Sequence, residues 1–226
     1  MVRQVIVDTE TTGLSAADRI VEVACVELIG RRPTGREFHA YVNPEMPVHR
    51  GALRVHGLTD EFLADKPSFA DVGDALRDFL RDAEMVAHNS SFDYDKLYAE
   101  FKRAGFEPFS ELVDGVVDTL AIARRRWPGQ TCSLDAVCRR LGIDTSHRTM
   151  HGALVDARIL ANAYIMMTRE QGTIELVAAE ATIVAVSATE GSEIIIEPTA
   201  EDLAMNAAIL AEIDRVSGGK LVWRES

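Results

Sequence analysis

The chain has 226 residues, 47% of them hydrophobic, and a formal net charge of −12. That length suits one sizeable domain with an appendage, since domains mostly run about 100–200 residues. The acidic balance argues against tight nucleic-acid binding through a basic surface. No run of about 18 apolar residues offers a membrane span, and the N-terminus lacks the basic stretch and apolar run of a secretory signal. Cys25, Cys132 and Cys138 have no C-x-x-C spacing. An odd, sparse count fits buried thiols in a reducing cytosol rather than a zinc site.

Residues 4–8 read as a first strand and Ile20 to Ile29 as a second, with a third from Glu37 to Val42. Gly30 and Gly35, with Pro33 between them, predict the turn of a hairpin joining the last two. Ala52 to His56 reads as a short helix ending at Gly57. Ser68 caps a stronger helix with Phe69, Val72, Leu76, Phe79 and Leu80 at helical spacing. Met85 to His88 is a short strand, and residues 92–103 are a helix stopped by Gly105. Val113 to Asp118 reads as a strand leading into a helix from Thr119 to Arg126, ended by Pro128-Gly129. Ser133 caps a helix through Arg140, and a long helix runs from just after Gly152 to about Arg169. A hairpin followed by strands alternating with helices predicts an α/β fold, a mixed sheet with helices on both faces. The site belongs at the C-terminal end of the first strand.

That strand ends in Asp8-Thr9-Glu10. Side chains two apart share one strand face, so Asp8 and Glu10 lie together. Like charges side by side repel, and a bound cation is the usual remedy. Asp93 follows a strand-to-helix junction, and His151 and Asp156 stand at the start of the long helix. Taken singly, each has an ordinary explanation as a solvated cap or a helix-dipole partner. Together, four carboxylates at element ends offer all-oxygen ligation suited to two Mg²⁺ or Mn²⁺ ions. Two such ions can hold the attacking and leaving oxygens of a phosphoryl displacement. A histidine near neutral pKa can take the proton of the attacking water.

Val7-Asp8-Thr9-Glu10-Thr11-Thr12-Gly13, Asn89-x-x-Phe92-Asp93 and His151-x-Ala153-x-x-Asp156 resemble the three motifs of the DEDDh family of 3′→5′ exonucleases. The resemblance covers about the first 170 residues and implies a ribonuclease H-like fold with a five-stranded sheet. It implies Asp8, Glu10 and Asp156 as direct ligands, Asp93 as completing the second metal position, and His151 as general base. It also implies that Thr11, Thr12, Gly13, His56 and Phe92 contact the terminal nucleotide, beside Asp8, Glu10 and Asp156. Some relatives carry an acidic residue five before the His56 position. Gly51 stands there in this chain, so that contact is not carried over.

Val55-His56-Gly57-Leu58-Thr59-Asp60-Glu61-Phe62 and the closing Gly218-Gly219-Lys220-Leu221-Val222-Trp223-Arg224 narrow the resemblance to the proofreading epsilon subunits of bacterial DNA polymerase III. The implied activity is release of nucleoside 5′-monophosphates from a DNA 3′ end, in the cytoplasmic replisome of a bacterium. The implied organisation is an exonuclease domain over 1–170, a linker over 171–198 and a polymerase-binding helix and tail over 199–226. Gln171, Ile174 and Leu176 resemble a weak sliding-clamp motif, and Leu221 and Trp223 fall in the segment that implies contact with the catalytic alpha subunit. A small third core subunit is a further possible partner. An RNA-trimming member of the same family and a non-catalytic polymerase-binding scaffold stand as competing readings.

Overall fold

The computed structural model describes residues 2–146 and 150–169. Its five strands are β1 (Arg3–Thr11), β2 (Ile20–Ile29), β3 (Arg32–Tyr41), β4 (Glu84–Ala87) and β5 (Gly115–Asp118). They form one mixed sheet in the order β3-β2-β1-β4-β5. β1, β2 and β3 pair antiparallel, while β4 and β5 extend the sheet in parallel on the other side of β1. The helices are α1 (Arg50–His56), α2 (Asp60–Leu63), α3 (Phe69–Leu80), α4 (Ser90–Arg103), α5 (Phe109–Leu112), α6 (Thr119–Arg126), α7 (Leu134–Leu141) and α8 (Ala153–Thr168).

The alternation of β1 divides the core in two. Val5 and Val7 pack with Leu76, Leu80, Leu97 and Phe101 of α3 and α4. Ile6 points the other way, into a cluster with Ala153, Ala157, Leu160 and Tyr164 of α8. The sheet is therefore covered on both faces, as the sequence predicts. The alanines of α8 bring it close to the strands, and polar ties fix its length. Gln4 Nε2 donates to the Tyr164 hydroxyl at 2.9 Å, and Arg158 pairs with Glu37 of β3 at 2.8 and 2.5 Å.

Three sequence-based expectations change. The hairpin turn is Gly30-Arg31, not the stretch from Gly30 to Gly35, and Pro33 and Gly35 lie inside β3. Both turn residues have positive φ, 56° and 63°, as a two-residue hairpin loop demands. Pro33 is accommodated because β3 is an edge strand, where a missing N–H breaks no central ladder. Helices α2 and α5, of four residues each, were not expected, because one turn is too short to show a period. The three cysteines are buried. The linker, the clamp-like motif and the C-terminal helix lie outside the described residues.

α4 is anchored by a buried carboxylate. Glu100 is 2% exposed and accepts from Arg19 Nε at 2.6 Å and Nη2 at 2.9 Å. Removing it leaves a largely buried guanidinium with only the exposed Glu45, 3.6 Å away, as counter-charge. Glu100→Ala is expected to lower unfolding free energy by about 3–5 kcal/mol, the usual cost of breaking a buried pair. Urea denaturation measures this, and an unchanged midpoint would refute the anchoring role.

Candidate active site

Three elements converge at the C-terminal end of β1. Asp8 and Glu10 project from the face that carries Ile6, toward α8. Asp156 lies in the first turn of α8 and is 3% exposed. His151 precedes that helix, its Nδ1 3.1 Å from Asp156 Oδ2, and its backbone N–H donates to the Val55 carbonyl at 3.2 Å. Glu10, His151 and Asp156 each offer one ligand atom, and these atoms lie within 4.8 Å of one another. Asp93 arrives from the opposite side, in the first turn of α4. It is reached through the intervening residue of β1: Thr9 Oγ1 donates to Asp93 Oδ1 at 2.7 Å.

Local sequence explains each position. The chain enters α4 through Asn89 in the left-handed region, φ 69°, which turns it sharply off β4. Asp118 at the end of β5 secures that turn by accepting from Asn89 N–H at 3.0 Å. Gly152, extended at φ −149°, opens α8.

The electrostatics are those of crowded like charge. Burial holds the Asp8 carboxyl well above its ordinary pKa, and the charges of Asp93, Asp156, Glu10 and Glu22 raise it further. Burial pushes Asp93 up to about 7, against the lowering effect of the Thr9 hydrogen bond. A divalent cation reverses both effects, because it favours the ionised carboxylates. The oxygen-rich donor set fits a hard cation.

A cleft of about 570 Å³ opens beside Glu10, lined by Thr11, Gly13, Leu14, His49, Gly51, His56 and Phe92 among others. Of the residues expected to meet a nucleotide, Thr11, Gly13, His56 and Phe92 are in its wall. Thr12 is buried beneath it, with its N–H bound to the Arg19 carbonyl at 2.8 Å and its hydroxyl to Asp18 at 3.0 Å. His56 faces the cleft with both ring nitrogens engaged: Leu58 N–H donates to Nδ1 at 3.0 Å, and Nε2 is 3.3 Å from the Thr11 carbonyl. Burial lowers its pKa. His56 is thus a neutral wall that shapes the Thr11 backbone. Gly13 is required by close approach, since a Cβ there would meet Asp18 Oδ2 at 2.7 Å.

Sequence reasoning passed over the supports. Lys96 of α4, 5% exposed, donates to the carbonyls of Ser15 and Asp18 and so holds the loop that walls the cleft. Glu22 of β2 stands opposite Glu10 in the ladder and accepts from the Ala153 N–H at 3.1 Å. For Glu22 the available signal was a glutamate, one of two with Glu27, inside an otherwise apolar strand.

A family model described as Exonuclease matches residues 5–164. The chain is 39% identical over 237 residues to the DNA polymerase III subunit epsilon of Pasteurella multocida, covering 99% of this chain and 94% of that protein. Among solved structures it resembles Exonuclease X in complex with 5′ overhanging duplex DNA, at 29% identity and a TM-score of 0.56, over 73% of this chain and 90% of that one. It also resembles the zinc-bound Exonuclease I–single-stranded DNA complex of E. coli, at 18% identity and a TM-score of 0.66, over 76% of this chain and 41% of that one. The latter likeness is one of fold, the ribonuclease H-like sheet with helices on both sides. By sequence and architecture, the chain belongs to the exonuclease family, among the epsilon subunits of DNA polymerase III.

Proposed function

We propose that the chain removes nucleotides from DNA 3′ ends through a carboxylate-held pair of divalent cations, as the proofreading exonuclease of a replicative polymerase. The observation that carries the reading is the convergence of Asp8, Glu10, Asp93, Asp156 and His151 at the end of one strand, beside a cleft of nucleotide-accommodating size. Asp8, Glu10 and Asp156 would be direct ligands, with Asp8 between the two positions and Asp93 completing the second. Mg²⁺ and Mn²⁺ are the cations the oxygen donors favour. When bound, they offset charge on the attacking and leaving oxygens of an in-line displacement.

The chain's own groups do the rest. With Asp156 accepting from His151 Nδ1, Nε2 carries the ring lone pair and is the nitrogen that would take a proton from water. The cleft wall of Thr11, Gly13 and Phe92 orients the terminal nucleotide. A frayed or mispaired end enters more readily, because less pairing and stacking is lost in separating it. Polymerase contact is assigned to residues 199–226, including Leu221 and Trp223, with Gln171, Ile174 and Leu176 as a clamp contact. The alpha subunit is the partner of the former and the sliding clamp of the latter, with the bacterial cytoplasm as the setting. Among the described residues, no helix is long and apolar enough to cross a membrane.

Four outcomes test this reading. Asp93 and Asp8 have raised pKa values in the metal-free fold, against about 3.9 unfolded. The folded form therefore binds more protons than the unfolded one in between. Their contribution to stability is full below the unfolded pKa and is lost as pH rises through the folded value. The rise in melting temperature on adding Mn²⁺ should thus be larger at pH 8 than at pH 5. Asp8→Asn should melt higher than the parent in chelator at pH 8 yet lose cleavage of a 3′-labelled DNA primer; normal cleavage would remove Asp8 from the metal site.

His151→Ala is expected to lower kcat by about 10²–10⁴, the range for a general base, with Mn²⁺ still bound. An unchanged kcat would exclude it from proton transfer. Deleting residues 192–226 should preserve nuclease activity and abolish co-elution with the polymerase catalytic subunit. A complex that survives the deletion would refute the assignment.

A further inference from the structure

Glu22 lies in the most buried strand of the sheet and has no part in the proton transfer or ligation above. It is 3% exposed, and both carboxylate oxygens are engaged. Oε1 is 2.7 Å from His39 Nε2 on β3, and Oε2 accepts from the backbone N–H of Ala153 at 3.1 Å. Ala153 is the first residue of α8. Its N–H is one of those at a helix start that have no partner within the helix, and the positive end of the helix dipole favours a carboxylate there. Glu22 therefore fixes where α8 begins.

Its place in the ladder gives that anchor a consequence. Glu22 is the direct cross-strand partner of Glu10. A short path then runs from Glu10 across one strand pair to Glu22, through its carboxylate to Ala153, and along three residues of helix to Asp156. Both ends of the path are proposed cation ligands. Its middle is held sideways by His39, whose ring packs edge-on against Tyr41 at 4.9 Å, and Tyr41 in turn packs against Phe62 at 5.1 Å. Arg158, further along α8, pairs with Glu37, so β3 grips the helix at a second point.

We propose that Glu22 is a positioning residue for the metal site: tied to the first residue of α8 and to His39, it sets Asp156 at the distance from Glu10 and Asp8 that cation binding requires. The inference rests on reading those carboxylates as cation ligands. Groups that orient ligands from behind commonly contribute about 10–100-fold to metal affinity or activity.

The test is Mn²⁺ titration of the full chain, followed by the spin-resonance signal of free Mn²⁺, alongside kcat and KM on a DNA oligonucleotide and the melting temperature. Glu22→Ala should weaken Mn²⁺ binding by about 10–100-fold and lower kcat, with KM for DNA little changed. Glu22→Gln should recover most of the affinity, because its amide oxygen still accepts from the Ala153 N–H. His39→Gln, at an exposed position on the edge strand, should shift Mn²⁺ affinity in the same direction by less, and it serves where Glu22→Ala fails to fold. Parental Mn²⁺ affinity and kcat in Glu22→Ala and His39→Gln, with only a lower melting temperature, would reduce Glu22 to a structural cap and overturn the proposal. A parent chain that binds no Mn²⁺ would overturn the ligand reading itself.

Discussion

Repulsion among carboxylates at the end of β1 is the constraint on which the rest of the molecule turns. Burial puts the largest penalty on the Asp8 charge, and the charges of Asp93, Asp156, Glu10 and Glu22 add to it. A chain left to relax would move these groups apart. They stay together because each is carried by an element whose position is fixed elsewhere. The pleat of one strand organises the meeting. Asp8 and Glu10 face α8, and Thr9 between them reaches Asp93 on α4. The two helices lie on opposite faces of the sheet, and one tripeptide addresses both.

The helices hold their carboxylates by a common device, a row of polar ties to the sheet and its loops. On α4, Asp93, Lys96 and Glu100 fall at helical spacing, and all three are buried. They bind Thr9, the carbonyls of Ser15 and Asp18, and Arg19 in turn. The same helix thus fixes the acid and the loop that walls the cleft. On α8, Ala153 is held by Glu22, Arg158 by Glu37 and Tyr164 by Gln4. Displacing either helix along the sheet would break several of these ties at once. Rigid placement of the acids is what keeps an otherwise unfavourable charge cluster together, as the proposed cation site requires.

How much of this was legible in the sequence depended on the range of the interaction. The shared face of Asp8 and Glu10 follows from a period of two. The positions of Asp93, His151 and Asp156 at element ends follow from helix signals a few residues away. The role of Glu22 depends on Ala153, 131 positions distant, and no local pattern announces such a pairing. The engagement of both His56 nitrogens, and the burial of Thr12, likewise depend on how loops fold over one another. At the hairpin, Pro33 and Gly35 are strong turn signals, yet the turn is Gly30-Arg31, because an edge strand admits a proline and a bulge admits a glycine. The segment beyond the nuclease fold lies outside the described residues.

The net charge of −12 then takes on a different meaning. An acidic protein that cuts a polyanion binds it weakly on its own, and cations in the site offset only the local part of that repulsion. Tethering beside a partner that already holds DNA would remove the difficulty, since linkage makes the second binding event intramolecular. Weak intrinsic affinity is compatible with proofreading under that condition. A well-paired 3′ end has little to gain by leaving the partner, whereas a frayed end has already lost the pairing that kept it there. Selectivity then arises from the competition between two sites for one strand end, and the exonuclease cleft itself has no need to recognise a mismatch.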